Sequence, residues 1–325
     1  MPKVLVTGGA GYIGSVTAQL LKRRGYGVVI VDDLSRGYEH NIRGLPFHRL
    51  NLLDTRALAG LLERERVDAV VHFAAYISVG ESTGKPELYF LNNDGGTVSL
   101  LSAMIQVGVK RLVFSSTAAV YGTPKVVPIP EDLPHDPVNP YGESKVFVEK
   151  MLKWMDSCAG LRSIALRYFN ACGADPESGI GEEHEPETHL IPLLMRAVVS
   201  GKPMTIFGND YATPDGTCIR DYIHVSDLAE AHFVAIEKLL AGGASDVFNV
   251  GTGAGQSVLQ VMLAVEQVTG KKVPHEIGPR REGDPAALVA NSDKLQRTLG
   301  WKPKFPEIRD IVATAWHFEQ KRRQA

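Results

Sequence analysis

Cysteine is scarce in this chain: Cys158, Cys172 and Cys218 are the only 3 among 325 residues, widely spaced and without a C-x-x-C pair. That excludes a disulfide framework and a zinc knuckle, and it points to a reducing compartment. A charge excess is missing too, since 35 basic and 37 acidic residues leave a formal net charge of -2. No basic field draws the chain to nucleic acid or to an anionic membrane, so neither is expected as a partner. No apolar run approaches the roughly 20 residues of a membrane-crossing helix. Val4-Leu5-Val6 reaches glycine too soon for a secretory signal, and the expected location is cytoplasmic. Repeats, low-complexity tracts and a clear linker are also lacking. What the chain has is length and 44% hydrophobic residues, enough for a large α/β unit with an appended lobe.

The apolar pattern of the first half alternates between short β-branched runs and helical periodicity. Lys3 to Thr7 reads as a buried strand and ends in Gly8-Gly9-Ala10-Gly11-Tyr12-Ile13-Gly14. Ile13, Val16, Thr17, Leu20 and Leu21 then recur at helical spacing until Gly25, and Val28 to Val31 forms a second strand closed by Asp32. Further strands are expected at Phe47 to Leu52, Ala69 to Phe73, Arg111 to Ser115 and Ser163 to Arg167. Helices are expected at Thr55 to Arg66, Pro86 to Val107 and from Tyr141 onward. Repeated βα units of this length predict a doubly wound, mainly parallel Rossmann-type sheet over residues 1–170. After about Ala171 the series breaks down, and residues 171–325 read as a smaller α/β substrate lobe. One of its two strand-like pieces, Tyr222 to Val225 or Val247 to Val250, is a candidate to return to the main sheet.

Ligands of such sheets bind at the carboxyl ends of the strands. A glycine triplet between strand and helix lets the backbone turn tightly against a pyrophosphate, and the helix N-terminus supplies N–H groups and positive dipole. Asp32 then accepts hydrogen bonds from a ribose diol. With Asp33 beside it, it repels a 2′-phosphate and favours NAD over NADP, although Arg36 lies close by. Phe73, Ala74, Ala75, Ser115, Ser116, Thr117, Tyr168, Phe169 and Asn170 fall on the same edge. Tyr141 and Lys145, at i and i+4, share one helix face, so the ammonium can stabilise a phenolate. Alone, that spacing also describes an ordinary solvated lysine beside a ring.

In this order, the glycine turn, Asn92, Ser115-Ser116-Thr117 and Tyr141-x-x-x-Lys145 resemble the extended short-chain dehydrogenase/reductase family. Phe207-Gly208-Asn209-Asp210-Tyr211, Asp215-Gly216-Thr217, Arg220 to Val225 and Arg280 to Asp284 resemble its UDP-glucose 4-epimerase branch, and the likeness runs from Val4 to Pro303. The resemblance implies NAD as cofactor, held by Gly8, Gly11, Tyr12, Ile13, Gly14, Asp32, Asn51, Leu52, Phe73, Ala74, Ala75, Asn92, Ser115, Tyr141, Lys145 and Tyr168. It implies a UDP-sugar held by Thr117, Asn170, His189, Leu190, Phe207, Arg220, Arg281 and Asp284. Tyr141 would be the base, Thr117 its proton relay and Lys145 its electrostatic support. A homodimer packed through the helices near Pro86 to Val107 and Tyr141 to Trp154 is implied as well.

Several residues depart from that pattern. Asn51 stands where the family often has Asp, Ile77 where some members have Lys, and Asp94-Gly95 where the segment is usually more apolar. A 4,6-dehydratase needs an acid and a base after the threonine, but Ala118 and Ala119 occupy those positions. A non-catalytic NAD sensor would have no use for Thr117, Tyr141 and Lys145 together. Leu288 replaces a bulky tyrosine beside the hexose, which leaves room for an N-acetyl group, and a UDP-pentose also remains open. Gly181 to His189 matches no zinc motif and reads as an acidic solvated loop, so no metal is expected. Gly251 to Gly255 reads as a tight turn before a helix capped by Ser257 rather than a second phosphate loop.

Overall fold

Seven parallel strands form the central sheet of the computed structural model, which describes residues 1–281 and 283–324. They are β1 (Lys3–Thr7), β2 (Gly27–Asp32), β3 (Phe47–Arg49), β4 (Ala69–His72), β5 (Arg111–Thr117), β6 (Arg162–Tyr168) and, from much later in the chain, residues Asp246–Val250. The order across the sheet is Asp246–Val250, β6, β5, β4, β1, β2, β3. Successive side chains alternate between two cores because the strand period is two. Val4 and Val6 of β1 join Val28 and Ile30 in one core, whereas Leu5 joins Val29 and Val31 in the other. Each such side chain contributes roughly 1.5–3 kcal/mol by leaving water.

Helices cover both faces. Helix α1 (Tyr12–Arg23) lies on the Val4 face, and α2 (Thr55–Glu65) lies on the Leu5 face. The long helix expected between Pro86 and Val107 is divided. Short α3 (Val79–Gly84) precedes α4 (Pro86–Tyr89), then a π-helical turn (Phe90–Gly95) leads into α5 (Gly96–Val107). Helix α6 (Pro140–Ala159) adds Val148 and Leu152 to the core shared by α2 and α5. Its start is written in the sequence: Pro140 occupies the first turn and the Asn139 side chain accepts from Gly142 N at 2.8 Å.

The second lobe begins with β7 (Asn170–Cys172), β8 (Ala174–Asp175), β9 (Ile180–Gly181), α7 (Leu190–Ser200) and β10 (Met204–Phe207). Next come β11 (Ile219–His224), α8 (Val225–Leu240), β12 (Asp246–Val250), β13 (Gly255–Ser257) and α9 (Val258–Thr269). The chain ends with β14 (His275–Gly278), β15 (Ala287–Leu288), α10 (Asp293–Leu299) and α11 (Ile308–Gln324). Strand β11 anchors a small sheet with β7, β13 and β15, while β12 adds the seventh strand to the large sheet beside β6, and α8 packs in the core with α1. Ser257 caps α9 reciprocally with Gln260. Among the described residues no helix is long and apolar enough to cross a membrane.

Candidate active site

The carboxyl ends of β1, β2, β4, β5 and β6 bring the expected residues to one edge. Gly8 has φ +70°, and a Cβ there would stand 2.6 Å from Ala74 N; a Cβ on Gly14 would stand 2.3 Å from Gly8 O. Only glycine permits this approach of turn, helix and β4 loop. No side chain caps α1 at Gly11, so its first N–H groups are left for an anionic ligand. Asp32 is held at the end of β2 by Ala10 N at 3.0 Å and Leu34 N at 2.9 Å. Burial raises its pKa above the usual carboxylate value, against those two hydrogen bonds. Arg36 is engaged elsewhere, with Nη2 3.0 Å from both Glu81 oxygens and its guanidinium over the Tyr76 ring. These features fit a dinucleotide with an unphosphorylated ribose.

Tyr12, Asn51 and Asn92 carry local duties that spacing does not reveal. The buried Tyr12 hydroxyl donates to Gly173 O at 2.6 Å, tying α1 to the second lobe. Asn51 donates to Asp33 Oδ2 at 2.9 Å, and Asn92 donates to Asn93 Oδ1 at 3.0 Å. Asn93 clasps both backbone groups of Tyr76 and donates to Ser144 on α6, which fixes the π-helical turn against the helix bearing the dyad. Leu52 is half-buried against Gly96, and Phe73 packs on His232 with ring centres 4.5 Å apart.

Tyr141 and Lys145 are both buried on the inner face of α6. Gly142 makes this seat possible, because a Cβ there would lie 2.7 Å from Ala119 O. The Lys145 ammonium donates to Ser115 O at 3.0 Å and sits 5.9 Å from the Tyr141 ring centre. Thr117 favours ionisation of the Tyr141 phenol, and its hydroxyl accepts from Ala119 N at 3.1 Å. Tyr168 pairs with the Ser115 hydroxyl at 2.8 Å. Burial dominates the electrostatics: it pushes the Tyr141 phenol above its ordinary pKa and the Lys145 ammonium down to about 8. The expected depression of the phenol is therefore not a property of the protein alone, since desolvation outweighs the effect of Thr117.

Ser116 turns away from the dyad. It donates to Glu149 at 2.6 Å, within a buried network that the sequence pass missed. Arg167 binds both Glu149 oxygens and the Tyr121 hydroxyl, and Tyr121 donates to Asn249 on β12. Asp94, noted only as a departure from apolar character, is buried in the π-helical turn near Lys145. One of its oxygens has no partner, and burial raises its pKa to about 7.

The second lobe gathers the expected anchors. Arg220 on β11 is paired with Asp284, and the Arg281 guanidinium lies 4.2 Å above the ring of Phe207. Asp221, next to Arg220, is fully buried and accepts from Thr252, Gly253 and Ala290, so the glycine turn after β12 is a structural clasp. Asn170 donates to Asp221 O at 2.9 Å. Leu288 pairs in register with Arg220 and packs in a cluster with Ala118. Leu190 opens α7, with His189 as its capping residue.

The stretch from Gly181 to His189 is not the solvated acidic loop expected from its composition. The side chains of Glu182 and Glu187 are buried, and both converge on His184 and His189. Burial disfavours charge on either imidazole, but the two carboxylates outweigh it and raise His184 to about 9 and His189 to about 10. Sequence could not show this convergence because Tyr12, whose ring stands edge-on to His184, closes the segment from another element.

A dinucleotide turn and a tyrosine–lysine dyad on the carboxyl edge of a parallel sheet define an NAD-dependent enzyme of the short-chain dehydrogenase type. The model of the NAD dependent epimerase/dehydratase family matches residues 4–251, and the chain belongs to that family. It is 47% identical over 319 residues to the UDP-glucose 4-epimerase of Halalkalibacterium halodurans, covering 98% of this chain and 96% of that protein. The crystal structure of UDP-glucose 4-epimerase from Brucella ovis in complex with NAD matches with TM-score 0.95 at 44% identity, covering 98% of each chain. The UDP-glucose 4-epimerase of Stenotrophomonas maltophila, with bound NAD and formylated UDP-arabinopyranose, matches with TM-score 0.96 at 39% identity, covering 100% of this chain and 99% of that one.

Proposed function

We propose that the chain interconverts UDP-glucose and UDP-galactose, and so serves galactose metabolism. The reaction is oxidation at C4, turning of the 4-keto sugar, and return of the hydride to its other face. The observation that carries this reading is the meeting of Tyr141, Lys145 and Thr117 at the end of β5. NAD, when bound, supplies the hydride acceptor and a positive ring, and it is regenerated in each turnover. Tyr141 removes the 4-hydroxyl proton, Thr117 aligns that hydroxyl, and Lys145 stabilises the phenolate. Arg220 and Arg281 suit a diphosphate, which stays anchored while the sugar turns.

In this division of labour residues 1–170 hold NAD, and residues 171–325 hold the UDP-sugar and lend β12 to the sheet. Ala118 and Ala119 offer neither acid nor base, which weighs against dehydration. Leu288, smaller than a tyrosine, keeps the UDP-N-acetylhexosamines as an alternative substrate class. Three unpaired thiols suit a reducing, cytoplasmic setting. A homodimer is supported by exposed Leu91, Val98 and Ile105, seven residues apart, and by exposed Phe147 and Trp154 on α6.

The test is to feed UDP-galactose to the purified protein and detect UDP-glucose with a coupled dehydrogenase. Conversion by wild type and its loss in Tyr141→Phe are expected; no conversion by wild type sinks the proposal.

A further inference from the structure

We propose that Glu182, His184, Glu187 and His189 form a closed four-coordinate site for a divalent cation of the zinc class. The four lie in the short segment between β9 and α7, and one donor atom from each falls within 4.8 Å of all the others. His189 Nδ1 is 2.8 Å from Glu182 Oε1 and 3.1 Å from Glu187 Oε1. His184 Nδ1 is 3.4 Å from Glu182 Oε1 and 3.7 Å from Glu187 Oε2. A tetrahedron with bonds of about 2.0–2.1 Å has edges of roughly 3.3–3.4 Å; the separations that share one oxygen of each glutamate, 2.8, 3.1 and 3.4 Å, approach that length, and the 3.7 Å distance involves the second oxygen of Glu187.

Hydrogen bonding alone leaves the cluster incomplete. Each Nδ1 carries at most one hydrogen, yet two carboxylates converge on each. The His184 Nδ1 atom is fully buried and has no hydrogen-bond partner. A divalent cation would displace the protons that now pair the imidazoles with the carboxylates; the two carboxylates then balance its charge, and two nitrogens with two oxygens are a donor set suited to zinc. The supporting shell is in place: Glu187 Oε1 also accepts from Thr188 N at 2.8 Å and His189 N at 2.9 Å, which fixes the carboxylate. Four protein ligands leave no open position, so the cation's role is structural. It fastens the segment leading into α7 against Tyr12 of α1. The inference uses only the Nδ1 edge of His189 and rests on no part of the epimerase reading.

The experiment is cobalt and zinc binding by the untagged full-length protein after exhaustive dialysis against EDTA. Wild type is expected to take up one Co2+ per chain with the intense visible bands of tetrahedral cobalt, and added Zn2+ should displace it and raise the melting temperature. His184→Ala should lose both the bands and the Zn2+ shift. If that variant does not fold, Glu187→Gln, which keeps the size of the side chain, is read in the same way. Absence of cobalt uptake by folded wild type overturns the proposal, and so does equal uptake by a folded variant. Both readouts are independent of turnover, so an inactive protein that binds the metal leaves this site standing.

Discussion

The Lys145 ammonium donates to the carbonyl of Ser115 at 3.0 Å while lying 5.9 Å from the centre of the Tyr141 ring. This bond fixes the cation at the end of β5, where Thr117 also favours ionisation of the phenol. On the proposed mechanism the lysine would act on the Tyr141 phenolate through its field from this fixed position. Tyr141→Phe should lower kcat about a thousandfold or more, because a general base contributes on the order of 10²–10⁴. Thr117→Val, which keeps the shape and removes the relay, should cost less. Steady-state rates with NAD content measured in parallel check this; an active Tyr141→Phe refutes the assignment.

Asp94 makes the protein's stability depend on pH. Its pKa rises from 3.8 to about 7, mainly through burial, so between those values the native state binds more protons than the unfolded chain. Stability contributed by the protonated form is present at acid pH and is lost as pH climbs toward 7. About 3 units correspond to roughly 4 kcal/mol as an upper figure. Asp94→Asn should therefore stabilise the protein at pH 8 and change little near pH 4, as read by urea unfolding. Asp94 also raises the pKa of Lys145, so the same variant should move the alkaline limb of the pH–rate profile to lower pH.

Glu149 has the opposite sign. Burial opposes its ionisation, but His135, Arg167 and Ser116 hold it at about 2. Its contribution is present above the ordinary value of 4.5 and is lost as pH falls toward 2. Glu149→Gln leaves the Arg167 charge buried and poorly paired, which should destabilise by about 3–5 kcal/mol at pH 7. Chemical denaturation at pH 7 and pH 3 separates the two regimes, with the loss shrinking at the lower pH.

Gly14→Ala places a methyl 2.3 Å from Gly8 O. The glycine turn cannot give way without moving β1 or α1, so the variant should purify with little NAD. Retention of NAD at the wild-type level contradicts the fitted turn.

How much of this was legible depended on how local each cause was. Lys3 to Asp32 announced a βαβ unit because strand, turn and helix signals lie in sequence, and helical periodicity from Tyr141 onward announced α6, although its Asn139 cap was not read. The π-helical turn at Phe90–Gly95 was hidden because Asn93 ties it to Tyr76 and Ser144, partners that only folding supplies. Asp94 was visible as an oddity, but its burial was not. The cluster at Glu182 to His189 was misjudged for the same reason: composition counts carboxylates without showing that they face two imidazoles. Asn51 was expected at the cofactor, and its pairing with Asp33 depends on β3 lying beside β2.

The most direct test of the central claim follows a label at C4. UDP-galactose carrying deuterium at C4 is converted in ordinary water, and the product is examined by NMR. Oxidation and return within one active site predict UDP-glucose that keeps its deuterium at C4, with no exchange into solvent and no solvent hydrogen entering C5. Loss of the label to water, or exchange at C5, would contradict the account.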